Sequence, residues 1–563
     1  MQLIQRFLPF VILGIFSFPA LLHRAIAEKF FVNISYWMIL LLFIAWLVLS
    51  YLFCRRVLQA KLAKIPLLLT FCATLFVGLS NDFKFKTNSD ETNLLGISRS
   101  LFYERTPYNA TMGKNYFGST KPIRREIDKR PIFYPFVVQA FHHIWGYTIW
   151  SGFVVNILSL FAILFLVSYY SYIHLGLCGA AAGILLTLSP SVVPSYATCA
   201  GMDVFSVFIL AQALWVVLLY RREPSQENLT YLLLILAVLS QSRYESLAYV
   251  FAVLFLLFVY KELTLEKLFR SWTVHVLVLM QILTVWQRKL SVGGYQTEKG
   301  ISVFGIDHFV KNLKPFLQGQ FVIDWHLPYA QITNWFSYIM LVLCVYQVFW
   351  KQKDEEKQKN LLLLSACAFG SLFIFLSYHG GGYLHPANSR FFLVYNLFLA
   401  LVPLYFFYLY RERSNNKHLL SLALASFLLY FPHSIDGSYY DALTLNREMD
   451  KLYAYLDKHY PNENTMIVHG RPGQFVSVGY GAVSWQYAKD NWENMLREND
   501  RHLYEAVLII ERIRYDKKDK KTWFEERGDL QAEYYFQRSA VEFVRLSKLK
   551  KRFSSSQPEN AKK

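Results

Sequence analysis

Asp90 and Glu91, followed by Thr92, stand side by side in a polar stretch that begins where an apolar run ends. A carboxylate so placed can take the proton of an acceptor hydroxyl. Cations follow at Lys121, Arg124, Arg125, Lys129 and Arg130, and charges recur at the ends of later apolar runs: Asp203 at the start of one, Arg243 and Glu245 in a tight turn, Arg390 at the mouth of another. Charges at membrane depth are costly and face a cavity or a partner, which makes Asp203, Arg243 and Glu245 candidates for function. Each has a plainer use: Arg243 and Glu245 pair with each other, and Asp203 caps its helix. Together, one carboxylate and several cations suit group transfer from an activated phosphate, with the carboxylate deprotonating the acceptor while the cations hold the departing phosphate. Such a donor needs no nucleotide-binding fold. The flanking cations keep the carboxylate ionised at neutral pH.

The elements that must position these charges are membrane helices. Of 563 residues 54% are hydrophobic and only 17% charged, and the apolar residues come in runs long enough to cross a bilayer. About thirteen spans are predicted. The first, 7 to 22, reads as a retained signal anchor, because His23, Arg24, Glu28 and Lys29 follow it in place of a cleavage site. The loops holding Arg55, Arg56, Lys61 and Lys64, then Arg221 and Arg222, then Lys261, Lys267 and Arg270, then Arg411, Arg413 and Lys417 fall on one side, which their charge makes cytoplasmic. Segments 81–148, 288–330 and 379–389, and everything after 432, are then outside. For this parity Pro131 to Tyr147 must lie along the outer surface as a helix rather than cross.

The fold class expected is a polytopic α-helical membrane protein with residues 1–432 as the transmembrane domain and 433–563 as a small α/β domain. In that tail Asn446–His459 reads as helix, Thr465–Val468 and Ala506–Ile510 as strands with a helical stretch between them, and Gln531–Leu546 as a terminal hairpin. Gly470, Gly473, Gly479 and Gly481 match neither phosphate-loop spacing and read as loop glycines. The net charge of +18 comes without a basic stripe interleaved with aromatics, which argues against nucleic acid. Cys54, Cys72, Cys178, Cys199, Cys344 and Cys367 lie in or beside apolar runs without metal-ligand spacing and read as buried thiols.

The segment Asp90-Glu91-Thr92-Asn93-Leu94-Leu95-Gly96-Ile97-Ser98-Arg99 resembles the DETRYAEISR-type motif in the first outer loop of C-type (GT-C) glycosyltransferases, in particular the lipid A aminoarabinose transferases and the protein O-mannosyltransferase superfamily. Lys129-Arg130-Pro131-Ile132-Phe133-Tyr134 resembles the EKPPLFY-type motif that follows in those enzymes. Ser189-Pro190 with Ala200-Gly201-Met202-Asp203, and Ser389-Arg390-Phe391-Phe392, extend the likeness. The resemblance implies that Asp90 is the catalytic carboxylate and that Arg130 stands for the lysine that contacts the donor phosphate. Lys129 stands where the family has Glu, the insertion between the two motifs is longer than in the aminoarabinose enzymes, and two extra spans precede Asp90. The likeness therefore reaches the superfamily and no single enzyme.

The function expected is a glycosyltransferase that moves a hexosyl or pentosyl unit from a polyprenyl-phosphate-linked donor to an acceptor hydroxyl or phosphate at the outer face of a bacterial inner membrane. Asp90 and Glu91 are its catalytic candidates, and Lys129, Arg130, Asp203, Arg243, Glu245 and Arg390 its substrate-binding candidates. Its expected partners are that donor, a glycan, lipid or protein acceptor, and membrane lipids, with no nucleic acid. No cofactor is written into the chain. A divalent metal stays open, although Asp203 is followed by Val204 and Phe205 rather than a second acid. The alternative is a transporter or flippase of a lipid-linked or anionic solute, whose signature would be internal repeats and broken mid-membrane helices; the sequence shows no repeat, and its charges cluster at one face rather than at the midplane.

Overall fold

A computed structural model describes residues 23–551 apart from 117–118, 292–301, 325–326, 328, 412–414 and 461–463. The chain gathers into two units. A helical unit takes the residues up to Thr87 together with Leu101–Pro107 and Ile127–Tyr440, and a sheet unit takes Asn88–Ser100, Tyr108–Glu126 and the chain from Asp441 on. Two segments of the first loop thus belong with the tail.

Among the described residues of the helical unit, eight helices are long and apolar enough to cross a membrane: Arg24–Val57, Ala60–Ser80, Trp150–Leu188, Asp203–Arg222, Gln331–Gln352, Glu355–Leu376, Ser389–Leu409 and Asn416–Asp436. The 39-residue run Trp150–Leu188 is broken at Gly176, with φ 68° and ψ −159°, a conformation that glycine adopts at little cost. Unbroken, it would measure ~58 Å against a hydrocarbon core of ~30 Å. The sequence reads as two spans here, at 149–171 and 177–195; the break leaves 150–175 as one helical stretch and 177–188 as another, ~18 Å long and shorter than the hydrocarbon core. Three further stretches read as spans are helical but shorter or more polar: Gln226–Ser242, Ser246–Val259 and Thr273–Leu290. Gln226–Ser242 is apolar all round because it runs through the centre of the unit, packed among Arg24–Val57, Asp203–Arg222 and Thr273–Leu290. The span at 7–22, like Arg413, lies outside the described residues. Pro131 to Tyr147 holds a helix of 13 residues, Phe133–Trp145, ~20 Å long and too short to cross.

The surface of this unit identifies its solvent. Ala60–Ser80 turns Leu67, Leu68, Phe71, Leu75 and Leu79 outward, with 48% to 79% of each side chain uncovered. Water penalises such a face, whereas lipid chains match it. Inside, Val77, Leu160, Ile163, Leu188, Tyr196 and Leu393 meet in one apolar cluster. The chain is a multi-pass membrane protein.

In the sheet unit seven strands, β1 (Tyr108–Tyr116), β2 (Ser119–Ile127), β3 (Thr465–Val468), β4 (Gly481–Val483), β5 (Ala506–Arg514), β6 (Leu530–Gln537) and β7 (Glu542–Leu549), form one sheet in the order β2-β1-β4-β3-β5-β7-β6. The centre is parallel, with Ile467 opposite Ala482 on one side and Leu508 on the other. Its strands are near-continuous apolar runs because both faces are covered. Met449, Leu452 and Leu456 of the helix Thr444–His459 pack on the face of Ile467, Leu508 and Ile510. Trp492, Met495 and Leu496 pack on the face of Met466, Val468, Val507 and Ile509. The hairpin read at Gln531–Leu546 is the antiparallel pair β6–β7. Two features differ from the sequence reading. Gly481, taken as a loop glycine, opens strand β4, and β1 adds antiparallel to β4 at Gly113 and Ala482.

Candidate functional site

The helical unit brings four of the predicted residues together. Asp203 begins the helix Asp203–Arg222, and the turn before it is fixed from below: Asn156 donates its amide to the carbonyls of Cys199 (2.7 Å) and Gly201 (2.6 Å), and the Tyr134 hydroxyl donates to Ala200 (2.9 Å). Arg243 follows the end of Gln226–Ser242 in extended backbone, Glu245 precedes the helix Ser246–Val259, and Arg390 lies on a 3-10 turn, Ser389–Phe392. Arg243 Nη1 is 2.6 Å from Asp203 Oδ1 and its Nε 2.9 Å from Glu245 Oε2, while Arg390 Nη1 is 3.7 Å from Asp203 Oδ2. Asp203 is only 1% exposed, Arg243 6% and Arg390 8%. Burial of such charges is tolerated because each faces an opposite one, and two carboxylates and two guanidiniums balance. An aromatic wall supports the cations: Phe375 and Phe391 stack at 5.0 Å, and the Arg243 guanidinium lies 5.1 Å from the Phe391 ring centre. The pairing of Arg243 with Glu245 is present, yet it is one half of a fork whose other half holds Asp203.

Arg130 makes a different contact. Its Nη1 bonds both oxygens of Asp128, at 2.9 and 2.8 Å, and Gln287 holds the loop by donating to the carbonyls of Asp128 and Arg130. Lys129 beside it is half-buried. Sequence reasoning missed Asp128, Gln287, Asn156 and the Phe375–Phe391 wall. Of these only Asp128, two residues before Arg130, carried a visible signal.

Asp90 and Glu91 belong to the sheet unit, in the first turn of the helix Asn88–Glu104, where the helix dipole favours acidic groups. Thr92 donates to the Asn88 carbonyl (2.7 Å), the Asn88 amide donates to Asn446 (3.3 Å), and Arg99 donates to the Val476 carbonyl (3.3 Å). Gly96 lets the Asn109 side chain approach: a Cβ there would lie 2.2 Å from Asn109 Oδ1. Glu91 is fully buried and Asp90 half-buried, so Asp90 is the more exposed of the acidic pair. Among the described residues no three His, Cys, Asp or Glu side chains gather as a metal site would require. The carboxylates of Asp203 and Glu245 are engaged by guanidiniums instead.

The spans and the sheet-bearing unit together have the fold of a membrane protein of known structure. No protein-family model matches the chain, and no curated protein matches it. It is similar to the crystal structure of ArnT from Cupriavidus metallidurans bound to undecaprenyl phosphate, at 11% identity and a TM-score of 0.51, over 85% of this chain and 97% of that one. The apo-state crystal structure of the same protein aligns over the same shares at 11% identity and a TM-score of 0.45.

Proposed function

We propose that this chain is an integral-membrane glycosyltransferase using a polyprenyl-phosphate-linked sugar, with its sheet unit and the site on the periplasmic side of a bacterial inner membrane. The observation that carries the reading is the buried cluster of Asp203, Arg243, Glu245 and Arg390 at the ends of its helices, in a fold shared with a protein crystallised with undecaprenyl phosphate. In the proposed reaction the acceptor oxygen attacks the anomeric carbon, the bond from that carbon to the phosphate oxygen breaks, polyprenyl phosphate departs, and Asp90 takes the acceptor's proton. Arg390, on the 3-10 turn at the mouth of its helix and 3.7 Å from Asp203, is the cation proposed to engage the phosphate. Arg243, gripped on two sides, holds the cluster's shape. Arg130 and Lys129 are proposed to flank the donor, with Asp128 fixing the Arg130 guanidinium.

The test is transfer itself. Purified protein is given undecaprenyl-phosphate-linked pentoses and hexoses with an envelope extract as acceptor source. The wild type should move label to an acceptor, and Asp90→Asn should lose ~100-fold or more, the scale of a general base. Transfer by Asp90→Asn within about tenfold of wild type would exclude Asp90 as the base.

A further inference from the structure

The sheet unit contains a polar cleft of about 440 Å³ whose walls include Asn93, Thr111, Arg124, Arg471, Gln474 and Ser484. It opens at the carboxyl ends of β3 and β4, since Arg471 and Gln474 follow β3 and Ser484 follows β4. The chain leaves β3 toward β4 on one side and then returns to build β5 on the other. Ligands of open α/β sheets bind outside the carboxyl ends of the strands beside such a reversal.

Two observations specify what the cleft takes. The first is charge. Behind it Glu448 is fully buried and accepts from Arg512 (2.8 Å) and Arg538 (2.7 Å), and Arg538 also pairs with Glu542. Arg471 has no carboxylate in ion-pair reach among the described residues, and Arg512 and Arg538 together repel it more than Glu448 attracts it. At the rim Arg124 is already paired with Glu126 at 2.8 Å. The second is hydrogen bonding. Gln474 is 5% exposed, yet among the described residues its side-chain oxygen has no donor, and the buried Thr111 hydroxyl oxygen has no hydrogen-bond partner either. A buried acceptor without a donor is costly, and a ligand hydroxyl would relieve it.

We infer that this cleft binds an anionic saccharide, its phosphate or carboxylate on Arg471 and its hydroxyls on Gln474 and Thr111. Ser89 and Asn93, which flank Asp90 on its helix, line the same cleft. The saccharide is therefore assigned as part of the acceptor, a step that rests on the glycosyltransferase reading.

The test uses the full chain in detergent, titrated with glucose 6-phosphate, glucuronate, glucose and inorganic phosphate, with hydrogen exchange followed over residues 470–484. Both anionic sugars should slow exchange there and bind at least about tenfold more tightly than glucose or phosphate alone, as a charge-assisted pair added to hydroxyl contacts implies. Arg471→Ala should lose that margin, Arg471→Lys should keep part of it, and Gln474→Leu should weaken both sugars without changing phosphate binding. Equal binding of glucose and the anionic sugars, phosphate binding as tight as that of glucose 6-phosphate, an unaffected Arg471→Ala, or protection confined to other segments would each overturn the inference. The readout needs no transfer. A cleft that binds in a protein that moves no sugar from any of the donors leaves the cleft standing and removes the enzyme reading, and transfer without cleft binding does the reverse.

Discussion

Arg243 and Arg390 carry the same charge but stand in different mechanical positions, and their substitution should separate binding from framework. Arg390→Ala should weaken binding of undecaprenyl phosphate to the purified protein, with Arg390→Lys restoring only part because an ammonium lacks the planar fork. Arg243→Ala leaves Asp203 and Glu245 buried without their main partner, so it should cost ~3–5 kcal/mol of stability, read as a lower unfolding midpoint. Changing Glu245 to Gln in the same protein should recover part of that loss if Arg243 is framework. Donor binding unchanged in Arg390→Ala would remove it from the phosphate site. The convergence of Asp203, Arg243, Glu245 and Arg390 was legible because charged residues at the ends of apolar runs have few places to go. The contact of Arg130 with Asp128 had its signal in the spacing of the two residues and went unread, because the family motif draws attention to the cation and begins only at Lys129.

At the scale of elements, the long apolar runs announced themselves and the strands of the first loop did not. β1 contains Asn109, Lys114 and Asn115 and a single β-branched residue, Thr111, so nothing in its pattern marks a strand until a partner supplies the other edge. The break at Gly176 was visible only as a dip in hydropathy between two runs. The close approach of Gly96 to Asn109 offers a direct test of how the Asp90 helix is seated. Gly96→Ala should destabilise the protein by ~1–3 kcal/mol through overpacking, and adding Asn109→Ala should restore most of it by removing the obstructing oxygen. An unfolding midpoint in Gly96→Ala equal to that of wild type would show the helix seated elsewhere.

For the molecule as a whole, alkaline phosphatase fused after residue 440 should be active and a cytoplasmic reporter at 55–64 should be active in turn, because the basic loops fix orientation. An inactive phosphatase would invert every assignment of sides. The sheet unit also carries a pH signature. Burial alone would raise Glu448, but the His469 ring 3.8 Å away and the hydrogen bonds from Arg512 and Arg538 outweigh it and hold the carboxyl at about 2. Burial pushes His469 below its ordinary value. In both cases the unfolded chain binds protons more readily, so stability is complete above about pH 6.5, falls as the unfolded His469 takes up its proton, and falls again between about 4.5 and about 2 as Glu448 is protonated. Melting of the sheet unit followed by hydrogen exchange should show the upper step vanish in His469→Gln.

The sheet unit draws on segments at both ends of a long interval: β1 and β2 are made before residue 127, and their neighbour β4 only after residue 480. At ~5–20 residues per second a ribosome needs some tens of seconds to cover that distance. During that time a strand edge has been synthesised with no mate, in a compartment crowded with other chains. Lys121, Arg124 and Arg125 on β2 are the kind of charged guard that keeps such an edge from pairing with strangers. The order of synthesis thus makes this unit the last part of the protein to mature, and it ties the seating of the Asp90 helix to completion of the final hundred residues.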